Sequence, residues 1–319
     1  MSASAVLADL GLQVLERDWL SANHIVAPAC GPAPATVVDT GHVRHADMSL
    51  ALIRHALGGG LPARLVNTHL HSDHCGGNAV LQQAAQAEGQ PAPQTWVPAG
   101  HHAAATTWDE ARLSYRATGQ ACARFTVQGA LAAGDVLPLG TARWQVWAAP
   151  GHDPDALMLF EPQTRTLIAG DALWQDRLAI IFPELEDRPG FAATRATLDL
   201  IATLSPRLVI PGHGPVFEDA GAALAASRAR LDAFSRDPAR HTQHAARALA
   251  MYHLMEVRAE PRAELLAYLD RTPLFIAMAA QLGHAGSAAR QAWARGLVQA
   301  LGDQGLLRTD GGDWVRLPD

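Results

Sequence analysis

The chain is 319 residues long, 49% hydrophobic and 18% charged, with a formal net charge of -6. That length and balance suit an ordinary globular protein made of one large domain and a smaller one. All 25 basic residues are arginine, and an acidic chain is a poor starting point for gripping a phosphate backbone.

From the N-terminus, residues 1–20 lack a basic start and are interrupted by Asp9, Glu16, Arg17 and Asp18. They read as neither a signal peptide nor a membrane span, and a cytoplasmic protein is expected. Cys30, Cys75 and Cys122 form no CxxC pair, which argues against a disulfide framework and fits a reducing compartment. Leu12 to Val38 reads as short strands, the last being Thr36-Val37-Val38 before Asp39-Thr40-Gly41. Asp47 is placed to cap a helix over Met48–Leu57, which Gly58-Gly59-Gly60 ends. Without a following Lys-Ser/Thr pair, those glycines read as a cap and loop rather than a phosphate cradle.

Ala63–Val66 reads as a short buried strand, followed by Asn67-Thr68-His69-Leu70-His71-Ser72-Asp73-His74-Cys75-Gly76-Gly77 and then a helix over about 78–87. Three histidines and one aspartate within 69–74 are donors for zinc and similar borderline metals. They stand at a strand-to-helix turn, where open α/β sheets place ligands. Gln94–Val97 is a further strand. Residues 101–118 read as a helix or lid, with His101 and His102 on the surface or behind other ligands, and with Trp108 and Tyr115 in packing roles.

Alternation marks Arg143–Ala148 as a strand, which ends at Pro150-Gly151-His152. Leu157–Phe160 and Thr166–Ala169 form a strand pair around Pro162-Gln163, and the second ends at Gly170-Asp171. The run Leu178–Phe182 suits either a pocket wall or packing. A helix over 191–204 and a strand over Leu208–Ile210 lead to Pro211-Gly212-His213-Gly214. Four apolar strands thus each end in a polar turn bearing His or Asp, and such residues, distant in sequence, can converge on one sheet edge.

Beyond 220 the pattern turns helical, over 222–234, 238–257, 262–269, 274–282 and 288–301. A hairpin of residues 305–308 and 314–317 around Asp310-Gly311-Gly312-Asp313 closes the chain. His241 and His244 stand at i, i+3, and a solvated helix face is the expected reading. The expected domains are therefore 1–220 and 221–319.

Together, Asp39-Thr40-Gly41, His69-x-His71-x-Asp73-His74, Pro150-Gly151-His152, Gly170-Asp171 and Pro211-Gly212-His213-Gly214 resemble the metallo-β-lactamase superfamily in content and order. The resemblance covers about residues 12–220 and implies an α/β fold, a four-layer αββα sandwich, here followed by a mainly helical domain. It implies one metal on His69, His71 and His152, and a second on Asp73, His74 and His213. Asp171 would bridge the two, and Asp39 and Ser72 would stand behind the ligands, a structural turn being the equal alternative for Asp39. The implied cofactors are two divalent ions, zinc first and iron or manganese next. The implied chemistry is attack by a metal-bridging hydroxide, with Asp73 orienting it or passing a proton.

The bridging Asp171 resembles glyoxalase II, lactonase and RNase Z types, so the expected reaction is hydrolysis of an ester, thioester or lactone in a small-molecule substrate. Residues 175–185 lack the basic pattern expected for glutathione. A mononuclear-iron persulfide dioxygenase is the alternative, although it would not need Asp73, His74 and His213. The C-terminal helices and hairpin resemble the winged-helix segment of some superfamily members. Residues 259–319 carry six Arg against seven Asp and Glu, no basic footprint for nucleic acid. A homodimer contact or a channel wall is the expected role.

Overall fold

The computed structural model describes residues 2–310 and 313–318. They divide into two compact units: residues up to 115 with 121–183 and 189–231, and residues 116–120 with 184–188 and 232 onward.

The first unit holds two sheets. One is six-stranded, in spatial order β1 (Gln13–Leu15), β2 (His24–Ala27), β3 (Thr36–Val38), β4 (Arg64–Val66), β5 (Gln94–Pro98) and β6 (Gly129–Leu131). The other contains β7 (Val136–Leu139), β8 (Ala142–Ala148), β9 (Leu157–Glu161), β10 (Thr166–Gly170) and β11 (Leu208–Pro211), in the order β11-β10-β9-β8-β7. The alternation of side chains along a strand explains the layering. Ile25, Val38 and Val66 point to a core shared with Trp144, Val146, Leu159, Ile168 and Ile210 of the second sheet. Their neighbours Val26, Val37 and Leu65 point the other way, against Ile53 of the helix Ala46–Ala56 and Leu81 of the helix Asn78–Ala87. On the second sheet Met158, Phe160, Leu167 and Val209 are also buried. The helix Phe191–Leu204 buries Thr194, Thr197, Leu198 and Ile201. The fold is thus the mixed α/β architecture expected, with a helical C-terminal region.

Strand direction brings the polar turns to one edge. β3, β4 and β5 are mutually parallel. β10 and β11 are parallel, and β8 runs with β10 because both are antiparallel to β9. The two sheets are tied near that edge: Leu157 N–H donates to Thr68 O (2.8 Å), and Asn23 donates from its side chain to Pro211 O (3.0 Å) and Gly214 O (2.8 Å).

Several details differ from the sequence reading. Asp47 lies inside the first turn of its helix, where its carboxylate favours the positive helix end, and His45 takes the cap position. The helix Ala3–Asp9 and strands β6 and β7 are additions to the expected elements. β7 alternates over only four residues and β6 carries Gly129, so neither has a strong local signal.

The second unit contains the helices Pro238–Val257, Arg262–Arg271, Pro273–Gln281 and Ser287–Asp303. Its small sheet is built of β12 (Ala259–Pro261), β13 (Arg308–Asp310) and β14 (Trp314–Arg316), with β14 central. The expected hairpin is present as β13 and β14, with its first strand shifted from 305–308 to Arg308–Asp310, and Gly311 and Gly312 of its turn lie outside the described residues. Two short segments join this unit by hydrogen bonds: Tyr268 Oη donates to Thr118 O (2.9 Å), and Gln281 Nε2 donates to Glu184 O (3.0 Å).

Candidate metal centre

The turn after β4 carries the densest set of donors. His71 caps a one-turn helix, Ser72–Cys75, which turns Asp73 and His74 toward the same point as His69. His152 follows β8, Asp171 follows β10 and His213 follows β11. Seven side chains meet there in three overlapping groups: His69, His71 and His152; His69, His74 and Asp171; and Asp73, His74 and His213. His71 Nδ1 lies 3.1 Å from His69 Nε2 and 2.8 Å from His152 Nε2. Asp73 Oδ2 lies 3.2 Å from His213 Nε2. Asp171 reaches both sides, with Oδ2 3.3 Å from His152 Nε2 and Oδ1 3.3 Å from His74 Nε2. Gly212 permits this approach, since a Cβ there would stand 2.2 Å from Asp171 Oδ1.

The outer nitrogens of the rings are held in turn. Asp39, in the left-handed region at φ 56°, accepts from Thr68 N–H (2.9 Å), Thr68 Oγ1 (2.7 Å) and His74 Nδ1 (2.8 Å). It thus sits in the turn after β3 and at the same time against His74 Nδ1, on the far side of the ring from Asp171. His152 Nδ1 donates to Ile180 O (2.6 Å). His71 Nε2 faces Asp153 Oδ2 at 3.8 Å, and Asp153 also faces His101 Nε2 at 3.6 Å. His101 therefore lies behind the centre, buried, while His102 is half-buried. Ser72 is buried at the start of its helical turn, its carbonyl accepting from Gly76 N–H.

Electrostatics test whether the residues suit a cation. Burial disfavours charge on His74, but Asp171, Asp39 and Asp73 outweigh it and hold its pKa well above the ordinary value. Burial pushes the Asp171 carboxyl up, yet His74 and His213 hold it well below the carboxylate range. Asp73 is likewise lowered, by His74 and His213 against burial. His69 and His71 are lowered well below the ordinary imidazole value, by burial and then by neighbouring imidazoles. Neutral imidazoles beside ionised carboxylates form a donor set for a positive ion. His74 Nε2, fully buried and without a hydrogen-bond partner, points into it. The residues fit divalent metal.

Several contributors have no clear sequence signal. Trp174 Nε1 donates to Asp171 Oδ1 (3.1 Å), and the Trp19 ring stacks on His213 with centroids 5.4 Å apart. Phe182 lies against His71 (4.6 Å) and His152 (5.3 Å), while Leu178, Ala179 and Ile181 are buried, so this run both packs and borders the centre. Tyr115 Oη donates to Leu70 O (2.8 Å), bracing the turn between His69 and His71, and Cys75 Sγ donates to His71 O (3.3 Å). Trp108 and Tyr115 pack with Phe125 in a core cluster, the packing role expected for them. All three cysteines are free. None of the helices among the described residues is long and apolar enough to cross a membrane.

The family model of the metallo-beta-lactamase superfamily matches residues 25–213, which spans every one of these donors. The chain belongs to that superfamily. It is similar to an acyl-coenzyme A thioesterase MBLAC2 of Gallus gallus, 25% identical over 217 residues, 66% of this chain and 68% of that protein. The Homo sapiens protein of that name is 26% identical over 163 residues, 49% of this chain and 57% of its own. Among solved structures, a beta-lactamase domain protein from Burkholderia ambifaria aligns with TM-score 0.54 at 21% identity, over 96% of this chain and 92% of its own. A metallo-beta-lactamase family protein from Thermus thermophilus aligns with TM-score 0.52 at 19% identity, over 97% and 99%. These two likenesses concern the fold. This superfamily member is a hydrolase.

Proposed function

We propose that the protein is a dinuclear metal-dependent hydrolase that cleaves an acyl bond, a thioester first and an ester or lactone next. The observation that carries this reading is Asp171, whose two oxygens face opposite donor groups, one His152 and the other His74. His69, His71 and His152 would hold one ion, and Asp73, His74 and His213 the other. Zinc is the ion favoured by this nitrogen-rich set, with iron and manganese compatible. When bound, such a pair lowers the pKa of water to about 7 and polarises a carbonyl.

The chain's own residues supply orientation and proton handling. Asp39 and the Ile180 carbonyl fix the tautomers of His74 and His152, presenting Nε2 of each inward. Asp73 stays ionised and is more exposed than the histidines around it. It can take a proton from water and pass it to the departing sulfur or oxygen. Similarity to proteins named as acyl-coenzyme A thioesterases supports placing thioesters first. The free cysteines and the absence of a CxxC pair favour a cytoplasmic, reducing setting.

The test is a hydrolysis panel on zinc-loaded protein comprising an acyl thioester, a lactone, a phosphodiester and a β-lactam, with elemental analysis alongside. Two equivalents of metal and thioester turnover are expected. Less than about half an equivalent after metal-supplemented growth would defeat the metal reading. On iron-loaded protein, oxygen uptake with a persulfide and no thioester hydrolysis would replace it with the oxygenase.

A further inference from the structure

The two sides of the centre are lined differently. Against His71 and His152 stands Phe182, with Leu178, Ala179 and Ile181 buried beside it. Against His213 stands an aromatic pair with a cation. Trp19 lies parallel to His213 (8°), and Trp174 meets both rings edge-on, with centroids 5.4 Å from each. The Arg177 guanidinium lies over the Trp19 ring, Cζ 4.6 Å from its centroid. Trp19 is 39% exposed, an unusual exposure for so large an apolar side chain, and the Arg177 side chain is 56% exposed. Arg177 pairs with the adjacent Asp176 at 3.8 Å, a carboxylate that is itself 81% exposed. So long and solvated a pair leaves the guanidinium's charge largely uncommitted.

We propose that Trp19, Trp174 and Arg177 form a binding site for an anionic group, phosphate or carboxylate, carried on the leaving half of the substrate. The inference rests on the hydrolase reading above and extends it to substrate class. Stacking fixes the plane of the guanidinium while leaving its N–H edge for a bidentate anion. The side is assigned by the lining: the solvated, cationic face beside His213 suits a charged leaving half, and the buried apolar run beside His71 and His152 suits an acyl chain. The leaving half therefore departs past His213, over Trp19 and toward Arg177, while the acyl half lies toward Phe182. Trp174 has a second task as a positioning residue, since its N–H holds the Asp171 oxygen that faces His74.

Three octanoyl thioesters test this on zinc-loaded full-length protein: one of coenzyme A (phosphates), one of 3-mercaptopropionate (carboxylate) and one of N-acetylcysteamine (neutral). In Arg177→Gln the ratio of kcat/KM for an anionic over the neutral thioester should fall about tenfold, mainly through KM, and Arg177→Lys should recover part of it. Raising ionic strength should raise KM for the anionic probes in the parent and do so less in Arg177→Gln. Loss confined to the coenzyme A ester assigns the site to phosphate, and loss confined to the mercaptopropionate ester assigns it to carboxylate. An unchanged ratio for both overturns the proposal. Calorimetric binding of free coenzyme A and free 3-mercaptopropionate to parent and Arg177→Gln gives a readout apart from turnover. If no thioester is hydrolysed the thioesterase reading fails, while Arg177-dependent binding still upholds the anion site; binding of neither thiol by the parent, or equal binding by parent and variant, overturns it.

Discussion

Histidines gather in two places in this chain, and the contrast explains what makes one of them a candidate metal centre. At the strand edge, His74 is buried among Asp171, Asp39 and Asp73, and positive charge is favoured on it. On the helix Pro238–Val257, His241 is equally buried, packed edge-on against Phe234 (5.1 Å), and its pKa is pushed down to about 4, first by burial and then by His244. Burial is common to both. Carboxylate company separates a site for a cation from a neutral core residue. The expectation of a solvated helix face for His241 fails for the same reason: the ring lies inside, and neutrality makes that tolerable.

The strongest way to break this contrast is to remove the shared carboxylate. Asp171→Ala should lower kcat/KM by at least about a thousandfold, about 4 kcal/mol in the barrier, and should cost metal from both halves. His71→Ala and Asp73→Asn should each lower the metal content from two equivalents toward one, as read by elemental analysis of dialysed protein. Retention of both ions in Asp171→Ala would show that the bridge is not needed to hold them.

A smaller effect is expected one step out. Asp39→Asn keeps the shape of the turn but weakens the hold on His74 Nδ1, and should weaken zinc about 10- to 100-fold in competition with a chelator. Asp153→Asn, whose contact with His71 is longer at 3.8 Å, should cost less than Asp39→Asn in the same assay.

His241 sharpens the comparison from the other side. Above pH 6.5 the unfolded chain's imidazole is neutral like the folded one, so the buried ring carries no protonation penalty. Between 6.5 and about 4 the unfolded state takes a proton that the folded state refuses, so stability falls as pH falls through that window. At pH 5 this amounts to about 2 kcal/mol. In urea unfolding at pH 7.5 and pH 5, His241→Asn should lose less stability on acidification than the parent, with metal content unchanged. The smallest effect is expected for Trp174→Phe, which keeps the ring and loses the N–H to Asp171: about threefold to tenfold in kcat, on the order of 1 kcal/mol.

Most of the centre is legible in the sequence because each donor directly follows an apolar strand, and parallel strands carry their ends to the same edge. The residues that hold the donors are not legible, because their partners are distant. Nothing near Trp174 indicates that its indole N–H meets Asp171, and nothing near Asp153 points to His71, far earlier in the chain and 3.8 Å away in space. Trp19 carries no local signal, and only the fold stacks it on His213. The fold class is legible through the family resemblance that the motifs carry in their content and order. The short strands β6, β7 and β12 are defined by their neighbours in the sheets and leave little local pattern.

The tie between Leu157 N–H and Thr68 O, together with the seven donors spread from His69 to His213, has a consequence for how the protein is made. No nascent segment short of residue 213 holds both donor groups. A segment ending before residue 152 carries only His69, His71, Asp73 and His74, all from one local turn. On the proposed reading, selection among metals would be exercised by the assembled fold, after the late, long-range strand pairings that govern the folding rate of such topologies. Ion supply would then add stability in proportion to the logarithm of its concentration over the dissociation constant rather than act as the seed of folding.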